Sequence, residues 1–258
     1  MKKLLVLGLI SLFLMAADCH KEDVDPNDNS ITLTFKGKYD TEPLVMFADE
    51  YSYEEGMNVK FQLFQFYISK IELVQNNNAG VEKVTPLSDV ELVSFKGIVD
   101  PAEAQQGISF TYKDLPDGTF SHIRFGLGLT PELNATNPSD YTPPHPLDDH
   151  YWSAALGYVF TKIEGNVDFD GDGEYTNEGK ITFHAGKDNL YKEVSFPIDW
   201  DIEDGHVGPI NFVVDLKKVL SNGPTDFLDF RDITQDHTNN PEVYETISNR
   251  LKTALRLE

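Results

Sequence analysis

Apolar and polar residues alternate at every second position through much of the chain from residue 31 onward. Ile31, Leu33 and Phe35 alternate with Thr32, Thr34 and Lys36, the pattern of a half-buried strand. Val59, Phe61 and Leu63 alternate with Lys60 and Gln62, and the apolar set then slips to Phe64, Phe66 and Ile68 and on to Ile71 and Leu73. A slip of one residue turns the apolar set to the other face, so this stretch predicts a bulge or burial on both faces. Asn76-Asn77-Asn78-Ala79-Gly80 predicts a turn. Further strand-like runs cover 89–95, 107–112, 121–128, 156–164, 180–184, 190–197 and 209–215, with Pro116-Asp117-Gly118 as a turn between two of them.

Only one long helical pattern accompanies the strands. Pro241 suits the first helical position after Asn240, and Val243, Ile247, Leu251, Ala254 and Leu255 mark one face. A short helix is open at 215–221. Many strands with few helices predict an all-β fold, an antiparallel β-sandwich of immunoglobulin-like or Greek-key style with a C-terminal helix, and not a βαβ nucleotide fold. Nothing marks a boundary after residue 30, so 31–258 reads as a single domain. Residues 129–150 are irregular and rich in Pro, Asn and Asp, and a loop of that length is more often functional than a short one.

Ahead of the strands, Lys2 and Lys3 precede an apolar run from Leu4 to Ala17 that is short for a membrane span, so residues 1–18 read as a signal peptide. Cys19 closes the run and resembles the lipidated cysteine of a bacterial lipoprotein, although Asp18 stands where a small residue is usual. The bland alternative is a secreted protein with a free thiol. Residues 19–30 then form a lipidated acidic linker, in which Lys21-Glu22-Asp23 looks like a surface-export tag. The expected location is an outer-membrane lipoprotein exposed at the cell surface.

The chain has 21 Lys+Arg against 43 Asp+Glu, a net charge of −22. Nucleic acid is excluded as a partner, because phosphate binding needs clustered cations, and the membrane is reached through the lipid anchor only. With one cysteine there is no intrachain disulfide, Cys-based zinc site or iron–sulfur cluster. No nucleophile elbow, His-Glu-x-x-His or phosphate loop is present, so no enzymatic activity is expected.

Two features carry candidate chemistry. Asp168-Phe169-Asp170-Gly171-Asp172-Gly173-Glu174 places carboxylates at every second residue, as a calcium loop requires. Gly179 fills the twelfth position, where a helical calcium loop has glutamate, and Glu178 lies one residue early. Asp168, Asp170, Asp172, Glu174 (through its carbonyl) and Glu178 are the candidate calcium ligands, against the alternative of a solvated acidic hairpin tip. The second feature is the histidines. His145 and His150 precede Tyr151-Trp152, His184 ends a strand, and His237 precedes the last helix; His122 and His206 stand elsewhere. No pair has helical metal spacing, but imidazole suits copper and zinc.

Four pieces in order resemble the MbnP-like copper-binding family of secreted bacterial proteins. They are Phe66-Tyr67-Ile68-Ser69-Lys70-Ile71-Glu72-Leu73, then Ser121-His122-Ile123-Arg124-Phe125-Gly126-Leu127-Gly128, then Trp152-Ser153 with Gly157-Tyr158-Val159-Phe160 and Ile163-Glu164-Gly165, then Phe183-His184-Ala185-Gly186. The resemblance implies a β-sandwich that binds copper through histidines. In some relatives it also implies an oxidised tryptophan made with a di-haem peroxidase-type partner. Trp152 and His184 match the family pattern; His145, His150 and His237 are added from position. Ala154 stands where the motif has its second Trp, and Ala185 where it has Leu. The bland readings make Trp152, Tyr158 and Phe160 core aromatics, His184 a hydrogen-bonded strand-end residue, and Arg124 with Glu164 a structural ion pair. The function expected is a cell-envelope lipoprotein that binds copper for acquisition or handling. The alternative is a non-enzymatic surface module with calcium as its only metal.

Overall fold

Among the described residues, nine strands of five or more residues carry the fold. The structure is a computed structural model and describes residues 29–47, 49–76, 81–175, 178–202, 208–233, 235–236 and 240–258. The strands are β1 (Ile31–Tyr39), β2 (Asn58–Asn76), β3 (Glu82–Ser94), β4 (Ile108–Tyr112), β5 (Gly118–Leu127), β6 (Thr161–Asp168), β7 (Gly179–Ala185), β8 (Lys192–Ile202) and β9 (Gly208–Asp215). Helices α1 (Pro101–Gln106), α2 (Leu216–Leu220) and α3 (Pro241–Ala254) join them. The signal peptide, Cys19, the linker to residue 28, His206 and His237 lie outside the described residues. Among the described residues no helix is long and apolar enough to cross a membrane.

Two sheets pack face to face, as the alternation predicts. In the smaller, β1 lies between β9 and β4, and Leu255–Leu257 edges β9. The β1–β9 pair is parallel, from Ile31 opposite Gly208 to Lys38 opposite Asp215. Parallel neighbours cannot be joined by a tight hairpin, and here nearly the whole chain serves as the crossover. The larger sheet runs β8–β5–β2–β6–β7, with β3 along the other edge of β2. Phe35 joins the layers: it stacks on Phe212 at 4.9 Å and meets Phe66 and Phe125 edge-on at 6.5 and 6.0 Å.

The slip in β2 has both predicted causes. Lys70 takes a positive φ of 51°, and the pairing register shifts around it. Residues 63–69 are buried without interruption, because the outer face of this strand has its own cover. Tyr67, Leu129, Leu147, Tyr158, Phe160, Leu190 and Tyr244 form a second apolar cluster there. The irregular stretch 129–150 is thus a lid over the sheet. Tyr67 donates its hydroxyl to Pro146 O at 2.7 Å, and Tyr158 donates to Leu147 O at 3.0 Å.

One edge of β2 serves two partners in succession. Phe66 pairs with Thr161 of β6 and Val93 of β3, whereas Ile68 pairs with Leu127 of β5 and Glu91 of β3. Between them Tyr67 N donates to Phe160 O at 2.9 Å, and Tyr67 O accepts from Gly128 N at 2.8 Å. Gly128 is needed at this junction: its φ is +93°, and an added Cβ would lie 2.5 Å from Phe160 Cδ2. The strand expected over 156–164 divides for the same reason. Gly157–Tyr158 forms a small ladder with Tyr151–Ser153, and β6 starts only at Thr161. Leu255, expected on the helix face, instead caps α3 and pairs with Val214 of β9.

Candidate functional site

Strand register sets the first three residues. Lys162 of β6 is paired with Gln65 of β2 on one side and His184 of β7 on the other. Phe183 packs into the main core, so alternation turns His184 to the outer face. The lid brings His150 over this row. Lys162 Nζ donates to His150 Nδ1 at 2.8 Å, and the opposite ring nitrogen Nε2 faces the Gln65 amide at 3.3 Å.

The lid is bent to make this contact. His150 has a φ of +62°, a conformation that costs a non-glycine residue about 1 kcal/mol or more and is commonest where a site requires it. Its N–H donates to the Asp149 carboxylate at 2.6 Å, and its carbonyl accepts from Val159 N at 2.9 Å. Burial, and then the Lys162 charge, hold the ring below the ordinary imidazole range, so the neutral form is favoured. Burial also lowers Lys162, against the opposing pull of Asp149 and Glu164.

His184 and Trp152 meet. Their rings lie edge to face with centroids 5.7 Å apart, and the indole is 38% exposed. His184 Nε2 donates to Glu164 Oε1 at 2.7 Å. A carboxylate on one ring nitrogen fixes the tautomer and makes Nδ1 the more basic, lone-pair nitrogen, as in histidines that ligate metals. The ion pair expected between Arg124 and Glu164 does not form. Arg124 pairs with Glu72 at 2.9 Å, its register partner across β5 and β2, and with Glu82 at 3.1 Å. Glu164 lies on β6, beyond the handover at Tyr67, where His184 takes it.

Of the other expected ligands, His237 lies outside the described residues and His145 stands apart. His145 stacks on Tyr141 at 4.1 Å and accepts from Leu147 N at 3.1 Å, which gives it a role inside the lid. Among the described residues the histidine face therefore presents His150 and His184 on either side of the Lys162 ammonium. Neither Lys162 nor Gln65 was singled out by sequence reasoning. Gln65 left a signal, since a polar residue between Phe64 and Phe66 in a doubly buried stretch needs a partner.

At the far end of β6 the acidic loop closes as expected. Ligand oxygens of Asp168, Asp170, Asp172 and Glu178 lie within 4.8 Å of one another, the one such group of three or more His, Cys or carboxylate side chains among the described residues. The Glu174 side chain is not part of it; its N–H donates to Asp172 at 2.8 Å. Asp168 accepts from Gly171 N at 2.7 Å and Gly173 N at 2.8 Å. Burial pushes its carboxyl upward, but these N–H groups outweigh that and hold it below the usual carboxylate range. Gly171 and Gly173 supply positive φ values of 76° and 89°, which the turn requires.

Comparison with known proteins agrees with the fold. The structure of MbnP from Methylosinus trichosporium superposes with a TM-score of 0.52 at 17% identity, covering 85% of this chain and 87% of that one. No curated protein matches the sequence. The MbnP family model matches residues 28–241, spanning the lid, both candidate sites and nearly all of the sandwich. The chain is a member of the MbnP family, a family associated with copper handling.

Proposed function

We propose that this protein handles copper in the cell envelope without turnover, binding it through His184 and His150 beside Trp152. The observation that carries this reading is the Glu164–His184–Trp152 contact chain, in which a carboxylate-oriented imidazole adjoins a half-exposed indole. The donor set fits copper: two imidazoles suit it, and no described thiolate competes. Titration of the purified protein with Cu(I) and Cu(II) tests the reading. His184→Ala should weaken binding by at least about tenfold, and binding should fall off below about pH 6 as imidazoles protonate. Unchanged affinity in His184→Ala would remove that residue from the site.

The envelope location rests on Lys2 to Cys19, and loss of membrane association in Cys19→Ala tests it. Exposure of the Trp152 indole supports access by a di-haem peroxidase-type partner. A mass gain on Trp152 in intact protein from native cells would reveal oxidation there.

A second reading is favoured by the four converging carboxylates of the β6–β7 loop: a structural calcium ion. Calcium should then raise the melting temperature, and Asp170→Ala should abolish the rise. An equal rise in that variant would count against the loop.

A further inference from the structure

We propose that the cleft between α2, the turn at 221–224 and the C-terminal end of α3 binds a small zwitterion, a short peptide with both ends free. The cleft holds about 610 Å³, within the range of small-molecule sites, and shares no residue with the histidine face or the acidic loop. Its walls stand without a ligand. Arg250, 7% exposed, donates to Leu220 O at 2.7 Å and to Asp226 O at 3.1 Å, and Tyr53 donates its hydroxyl to Leu220 O at 2.9 Å. Ser221 Oγ accepts from Gly223 N at 2.8 Å and donates to Glu54 Oε1 at 2.6 Å. Buried contacts thus fix the turn, and a preformed cleft loses little affinity to ordering.

Charge selects the ligand. Asp40 pairs with Lys217 at 3.5 Å, and Asp215 pairs with Lys38, from outside the lining, at 3.3 Å. Among the described residues Glu54 and Lys218, which also line the cleft, form no ion pair, so one charge of each sign is left for a ligand. The anionic side is the more buried. Asp215 is 1% exposed and its Oδ2 accepts no hydrogen bond; Glu54 is half-buried, whereas Lys218 is exposed. Burial pushes the Tyr39 hydroxyl up, and the charges of Glu54, Asp215 and Asp40 add to this, so the three carboxylates surround one region. An ammonium group therefore suits the interior of the cleft, and a carboxylate suits its mouth beside Lys218. Asn222 and Thr253 offer an amide and a hydroxyl to the peptide units between. No aromatic side chain lines the cleft, so a nucleobase finds no stacking face, and these carboxylates do not converge as metal ligands do.

Isothermal titration of the purified protein with tri-alanine tests this, beside its N-acetylated and C-amidated forms. Tri-alanine should bind, and blocking either end should weaken binding at least about tenfold. Lys218→Met should weaken tri-alanine by a similar factor and leave the affinity of the C-amidated form unchanged. Glu54→Gln, which can still accept from Ser221, should weaken tri-alanine and leave the affinity of the N-acetylated form unchanged. Melting temperature checks that both variants fold, and Lys218→Met, at an exposed position, decides the matter if Glu54→Gln does not. No binding at about 10 mM tri-alanine would overturn the proposal. Equal binding of the three forms, or tri-alanine affinity untouched in Lys218→Met, would do the same.

Discussion

Strand β6 carries a different kind of site at each end. At its C-terminal end, Asp168, Asp170, Asp172 and Glu178 form a carboxylate cluster from residues close in sequence, held by N–H groups of the same loop. Near its N-terminal end, Lys162 and Glu164 belong to a face assembled from β2, β6, β7 and the lid. The first arrangement depends on loop chemistry and survives distant change. The second exists only if the sheet pairs in register and residues 129–150 lie down on it. A local site can be tuned by its own residues, whereas a composite one takes on every fault of the scaffold.

The sharpest way to break this contrast is Gly128→Val. A Cβ there meets Phe160 at 2.5 Å with φ at +93°, so the variant should lose about 3 kcal/mol in urea unfolding. Copper binding should fall with it, while the calcium response of the acidic loop persists in the folded fraction. Parallel loss of both responses would show that the two ends of β6 are not independent.

A milder change separates chemistry from scaffold. Glu164→Gln keeps the shape but removes the charge that orients His184, and copper affinity should drop by about 10–100-fold with calcium unaffected. Competition titration of both metals on one preparation checks this.

The smallest effect is in acid sensitivity. His150 is held below its ordinary value, so the unfolded chain takes up a proton first; the face contributes stability above about pH 6.5 and loses it as pH falls below that. Asp168 is also held below its ordinary value, but as an acid: its contribution is present above about pH 3.9 and is lost as pH falls through its lowered value. Melting temperature followed from pH 8 to pH 3 should show the upper step vanish in His150→Ala and the lower step vanish in Asp168→Asn. Coincident steps would contradict the assignment.

Most strands and the final helix were legible because alternation and periodicity are local properties of the chain. The convergence of Asp168, Asp170, Asp172 and Glu178 was legible for the same reason, since all four lie close together in sequence. What the pattern could not reveal is who neighbours whom. The parallel β1–β9 pair joins segments from the two ends of the domain, and Arg124 found Glu72 because register, not charge, chose its partner. The meeting of Trp152 with His184 followed from the family resemblance; the intervening Lys162 did not, since a lysine on a strand normally points to water. Helix α1 carries its own local start signal: Asp100 accepts from Ala102 N and Glu103 N, with Pro101 at the first helical position.

The junction at Tyr67 has a mechanical consequence. The backbone N–H and C=O of this one residue rivet the beginning of one strand and the end of another, and its phenol ties down the lid above them. The histidine face and the lid over it are thus both anchored at that rivet. Deuterium uptake at the Tyr67 amide would therefore gauge the integrity of the whole assembly, and docking of any cargo that tightens the imidazoles should slow it.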